Sequence, residues 1–196
     1  MFTLHYSPNS ISVAVAIALE ECAIPYTAVL VDFSQGAQTT PAFLKVNPKG
    51  RVPVLETPDG ILTETGAILE YIAPDLVPAD PFAAARMREI MYYVCGTMHV
   101  NHAHNRRGAR WADDAASHAD MKRKVPETMA ASCAHLEQLW HLRPDGLTIA
   151  DFYLYVVLCW LEGDGVDINA YPQLADFAQN MRARPSVQAV YDKGML

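Results

Sequence analysis

Three short stretches carry residues whose type and spacing can do chemistry. In "NPKGRVPVL", a turn built from Asn47, Pro48 and Gly50 delivers two cations, Lys49 and Arg51, and then a proline between Val52 and Val54. Proline cannot donate to a ladder, so Pro53 belongs at a strand's first residue, at an edge or at a bulge. A trans bond makes this a plain edge strand. A cis Val52-Pro53 bond instead turns the N–H and C=O of Val52 outward, ready to pair with an extended, peptide-like ligand. In "TETGAILEYIA", Glu64 and Thr65 stand where a strand gives way to a helix. Thr65 either caps that helix or offers its hydroxyl and N–H to an anion at the positive helix end. A simple cap accounts for Thr65 and leaves the acidic Glu64 without a role. In "YSPNSIS", Tyr6 ends a strand, and Ser10 and Ser12 begin a helix, with Ser10 placed as an N-cap.

Two further motifs are weighed beside these. "HVNHAH" gathers His99, His102 and His104, and imidazole is a common metal ligand. Helical spacing puts His99 and His102 on one face and turns His104 away, with no carboxylate in the same turn, so no metal site is expected. The cations Arg106, Arg107 and Arg110 that follow read as a solvated face. In "LTIADFYLY", Thr148 and Asp151 form a capping box with Asp in place of Glu or Gln, a structural device that opens the most apolar helix in the chain.

The elements that must hold these residues fall into two groups. Strand-like and helix-like segments alternate at first: "FTLHY", then "PNSISVAVAIALEECAI" opened by Asn9 and Ser10, "YTAVLVDF", the short "TPAFLKVNP", and "VPVLETPDGILTE" folded as a hairpin around Pro58-Asp59-Gly60. "TGAILEYIA" closes the unit and stops at Pro74. The order β-α-β-α-β-β-α over residues 1–75 predicts an α/β domain. "PDLVPADP" is proline-rich and supplies a linker at 76–82, and every strong signal over 83–196 is helical. The last of these segments, "YPQLADFAQNMRARPSV", is predicted to stop at Pro185.

Composition narrows the function classes. The 196 residues are 51% hydrophobic and 19% charged, enough to bury a substantial core. A net charge of -7 argues against nucleic-acid binding, which needs clustered cations. Cys22, Cys95, Cys133 and Cys159 never form C-x-x-C, which removes zinc-ribbon and dithiol chemistry and suits a reducing compartment. No signal-peptide pattern opens the chain, and "FYLYVVLCWL" is about half of the roughly 20 residues a bilayer span requires, so a cytoplasmic protein without a membrane partner is expected.

Taken together and in this order, "NPKGRVPVL", "TETGAILEYIA" and "LTIADFYLY" make the chain resemble a cytosolic glutathione transferase of the bacterial type, over essentially its whole length. The resemblance implies a thioredoxin-like first domain and an all-α helical-bundle second domain. It implies a cis proline at Pro53, with Val52 pairing through its backbone with the cysteinyl part of glutathione. Thr65 would take the α-carboxylate of the γ-glutamyl end, Glu64 would anchor its ammonium, and Arg51 joins these glutathione-binding residues. The catalytic task is to lower the thiol pKa of glutathione from about 8.5, because only the thiolate attacks. Members of the family use a tyrosine, serine or cysteine in the "YSPNSIS" region. Ser10 matches the serine of the serine-type classes, with Tyr6 and Ser12 as second and third candidates. Ile11 falls where bacterial cysteine-type enzymes carry their cysteine, so mixed-disulfide chemistry at that residue is ruled out. His99 is implied on the electrophile side. The resemblance further implies a homodimer, glutathione as co-substrate with no cofactor, and a small apolar electrophile. A silent glutathione-binding or protein-interaction member, or a glutathione-dependent isomerase, dehalogenase or reductase, would keep the same binding residues.

Overall fold

The computed structural model describes residues 1–196 and divides them into two compact units, each interrupted in sequence. The first comprises Met1–Val77, Leu147–Val156 and Met181–Leu196; the second comprises Pro78–Gly146 and Val157–Asn180.

The first unit is built on a four-stranded mixed sheet of order β2-β1-β3-β4. Strand β1 (Phe2–Tyr6) runs parallel to β2 (Tyr26–Leu30), in register from Phe2↔Tyr26 to Tyr6↔Leu30. A parallel pair needs a crossover, and helix α1 (Ser12–Glu21) supplies it. Every residue of α1 from Ser12 to Leu19 is buried, which explains why its sequence shows small apolar residues all round rather than one apolar stripe. Beyond the short helix α2 (Pro41–Val46), strand β3 (Val54–Thr57) pairs antiparallel with β1 and with β4 (Gly60–Thr63). The β3–β4 turn is Pro58-Asp59, pinned by the Thr57 hydroxyl, which donates to the Gly60 carbonyl at 2.8 Å. Helix α3 (Thr65–Ile72) then ends before Pro74. A second, smaller core of Val31, Phe43, Val52 and Val54 lies under the segment joining β2 to β3.

The second unit contains helix α4 (Pro81–Tyr93), a π-helical stretch Val94–Met98, α5 (His99–Ala103) and the long α6 (Ala115–Leu139), which runs through Pro126 without a break. Helix α7 (Ile149–Leu158) and helix α8 (Pro172–Arg182) each cross a boundary between the two units.

Two local readings change. Helix α1 does not begin at Asn9 and Ser10: Asn9 has φ 55° and donates its N–H to the Met195 carbonyl at 2.8 Å, while Ile11 occupies the N-cap position without a side-chain cap. The Ser10 hydroxyl accepts instead from the Ser12 N–H at 3.3 Å. The helix read as stopping at Pro185 does end just before it, at Arg182, but a further helix begins there. Pro185 is the first residue of this helix, α9 (Pro185–Asp192), where its missing N–H costs nothing.

Candidate functional site

The sheet brings the three chemical stretches of the first unit to one end. Because β3 is antiparallel to β1 (His5↔Val54) and to β4 (Val54↔Thr63), the end of β1, the start of β3 and the end of β4 coincide. The loop holding Ser10 and Ser12, the approach to Val52, and the Glu64–Thr65 junction all leave from there.

The Val52-Pro53 peptide is cis. The side chain of Val52 is buried in the smaller core, and the ladder begins only at Val54, so no hydrogen bond within the chain occupies the N–H or C=O of Val52. The turn before it is held from inside. The buried Asn47 donates from Nδ2 to the Arg51 carbonyl at 2.6 Å and accepts at Oδ1 from the Lys49 N–H at 3.2 Å. Gly50 takes φ 61°, and a Cβ there would come within 3.0 Å of the Gln38 carbonyl, so both backbone and space demand glycine. The Arg51 side chain is exposed and unpaired.

Thr65 is the first residue of α3 rather than its cap, and Glu64 takes the N-cap position. Thr65 is 6% exposed, and its hydroxyl has no partner in the chain. It therefore stands beside the unpaired first-turn N–H groups of α3, which favour negative charge. Glu64 adopts φ 73°, ψ 115°, a conformation that a residue with a Cβ rarely takes. Its carboxylate is held by Lys49, whose Nζ also donates to the Thr63 hydroxyl at 2.8 Å. The Lys49 side chain remains 44% exposed, and its partners lie 14 and 15 residues further on, a separation that carries no local sequence signal.

The three hydroxyl candidates occupy different environments. Ser12 is fully buried, and its Oγ accepts from the Ser7 N–H at 3.1 Å and lies 2.6 Å from the Ser10 Oγ. Ser10 is half-buried and donates to the Ser7 carbonyl at 2.8 Å. Tyr6 is half-buried at the end of β1. Ser7, buried and holding both serines through its backbone, is a residue that sequence reasoning passed over.

The remaining candidates are placed as follows. Thr148 directly precedes α7, and both its N–H (2.7 Å) and its hydroxyl (3.1 Å) donate to Asp151 Oδ2, with Asp151 2% exposed. In the second unit, His99 lies against Trp160 with ring centroids 5.0 Å apart. His102 stacks on the same indole at 4.1 Å and bonds through Nδ1 to the buried Asp164 at 2.7 Å, while His104 packs edge-on against Trp111.

A βαβαββα unit on a four-stranded mixed sheet, followed in sequence by helices, places the chain in the class of thioredoxin-like folds with a helical second part. The comparisons agree. The model of the glutathione S-transferase N-terminal domain matches residues 2–74, and that of the C-terminal domain matches residues 82–185. The glutathione S-transferase GST-4.5 of Xanthomonas campestris is 31% identical over 197 residues, covering 95% of each chain. A maleylacetoacetate isomerase of Pseudomonas aeruginosa is 28% identical, over 97% of this chain and 94% of its own. Among solved structures, a glutathione transferase homolog from Sulfitobacter with bound glutathione is 54% identical, with a TM-score of 0.96, covering 100% of this chain and 99% of its own. The chain belongs to the glutathione S-transferase family.

Proposed function

We propose that this chain is a glutathione transferase that ionises the thiol of glutathione and conjugates it to a small apolar electrophile. The observation that carries the reading is that the approach to β3, with the open backbone of Val52, and the start of α3, with the Thr65 hydroxyl, leave the same end of the sheet. Glutathione is peptide-like in the middle and carries an α-carboxylate and an α-ammonium at its γ-glutamyl end. Val52 pairs with the cysteinyl segment as a short strand, Thr65 donates to the carboxylate, and Glu64 accepts from the ammonium. Arg51 offers an unpaired cation to a carboxylate.

That placement leaves the thiol for the hydroxyls after β1. Ser10 is the donor assigned here, because Ser12 is buried and engaged with Ser7, while Ser10 is reachable and needs only to rotate its single proton from the Ser7 carbonyl. Lowering the thiol pKa by about 2–3 units takes roughly 3–4 kcal/mol, within reach of one hydroxyl and a helix N-terminus. The thiolate then forms the carbon–sulfur bond, either by displacing a leaving group that departs as an anion or by adding to an activated double bond whose carbanion takes up a proton. His99 serves the electrophile side, glutathione is a co-substrate without a further cofactor, and the working form is a cytoplasmic homodimer.

Titration of bound glutathione by thiolate ultraviolet absorbance tests this reading. Wild type is expected to show a pKa well below the free value, and Ser10→Ala to restore it towards that value. A wild type without depression refutes the transferase reading in favour of silent binding, and an unchanged depression in Ser10→Ala refutes Ser10. Turnover of a cis–trans isomerisable dienoic acid without consumption of glutathione would assign the isomerase alternative.

A further inference from the structure

We infer that Lys49 is a specificity-determining residue that tunes the site to a zwitterion, an inference that rests on the glutathione reading above. The observations are local to the first unit. The Lys49 ammonium holds the Glu64 carboxylate through Oε1 and is tethered to the Thr63 hydroxyl at 2.8 Å. Glu64 in turn is fixed by its φ of 73° directly before Thr65. Glu64 Oε2 stays open, because the contact with Lys49 uses the other oxygen and 71% of the side chain is exposed.

Charge accounting at this corner follows. Glu64 contributes one negative charge, Lys49 one positive charge, and the start of α3 a partial positive charge of about half a unit. With Lys49 in place these leave about half a positive unit, and without it about half a negative unit, so Lys49 reverses the sign of a corner that presents an acceptor beside a donor. It matches a ligand end that is itself neutral and bipolar, an α-amino acid carrying ammonium and carboxylate together. Without Lys49 the bare carboxylate would attract any amine and repel the carboxylate that Thr65 is placed to receive. Lys49 is therefore not a ligand for the ammonium. It offsets Glu64, so that recognition requires both charges on the same carbon.

Three probes separate this from a structural role: glutathione, the analogue with γ-aminobutyryl in place of γ-glutamyl, which keeps only the ammonium, and the glutaryl analogue, which keeps only the carboxylate. Kd values are measured by calorimetry on the full chain. In Lys49→Met the affinity ratio of the aminobutyryl to the glutaryl analogue is expected to rise about three- to tenfold, the size exposed charge pairs allow. In Glu64→Gln, which leaves Lys49 uncompensated, the ratio is expected to fall by a similar factor, and Lys49→Arg should keep the wild-type ratio. Loss of all three ligands by one common factor in Lys49→Met, with the ratio also unmoved in Glu64→Gln, overturns the inference. A wild type that binds glutathione but shows no shift in any variant overturns this inference alone, whereas a wild type that binds no glutathione overturns the glutathione reading as well.

Discussion

Ser10 and Ser12 share a hydrogen bond, yet their surroundings give them different work. Ser12 is fully buried and satisfies the Ser7 N–H, so Ser12→Ala leaves a buried donor unpaired. The expected cost is about 1–3 kcal/mol, read as a lower urea midpoint at unchanged m-value. A thiol titration in that variant that matches wild type, wherever it still folds, would confirm the division of labour. Both serines, Tyr6, Val52, Glu64 and Thr65 were legible as candidates because residue type and position relative to a strand or helix end are written locally. Which serine is buried was not legible, since burial is decided by α3, α9 and β1 packing on α1. The Lys49–Glu64 pair was hidden for the same reason, and the positive φ of Glu64 runs against every local preference for glycine or asparagine at such a position.

Two contacts set the behaviour of whole elements. Asp151 accepts both the N–H and the hydroxyl of Thr148 at the start of α7. Asp151→Ala should cost on the order of 1–2 kcal/mol and lower the melting temperature. Reduced turnover with an unchanged melting temperature would contradict that structural role. At the other contact, α1 is tied to α9 by Glu21, which accepts from Arg184 and from Ser186 at 2.5 Å. The hydrogen bond from Arg184, helped by Ser186 and opposed by burial, holds the Glu21 carboxyl below its ordinary 4.5. A depressed folded pKa means the contribution is full above about 4.5 and is lost as pH falls through the folded value. Removing the guanidinium with Arg184→Met should lower the urea midpoint at about pH 6 more than at about pH 3, flattening the acid limb of the stability profile. Helix α9 itself escaped the sequence reading because proline stops a helix it follows and starts one it precedes, and "ARPSV" alone does not distinguish the two.

At the scale of the molecule, the alternation of strands and helices and the later helical run were both readable, because hydrophobic period is a local property. The membership of the sheet unit was not, since it recruits Leu147–Val156 and Met181–Leu196 from far along the chain. The proposed homodimer belongs to this scale: light scattering should give twice 21.6 kDa, and a mass of 21.6 kDa at micromolar concentration would refute it. The recruitment of Met181–Leu196 also bears on synthesis. Helix α1 is made among the first residues, yet the Arg184 and Ser186 that bind Glu21, and the Met195 carbonyl that takes the Asn9 N–H, are made among the last. A nascent chain emerging from the ribosome therefore carries α1 without these C-terminal partners until residue 195 has been made, and during that interval its apolar surface depends on a chaperone or on speed of synthesis to avoid association.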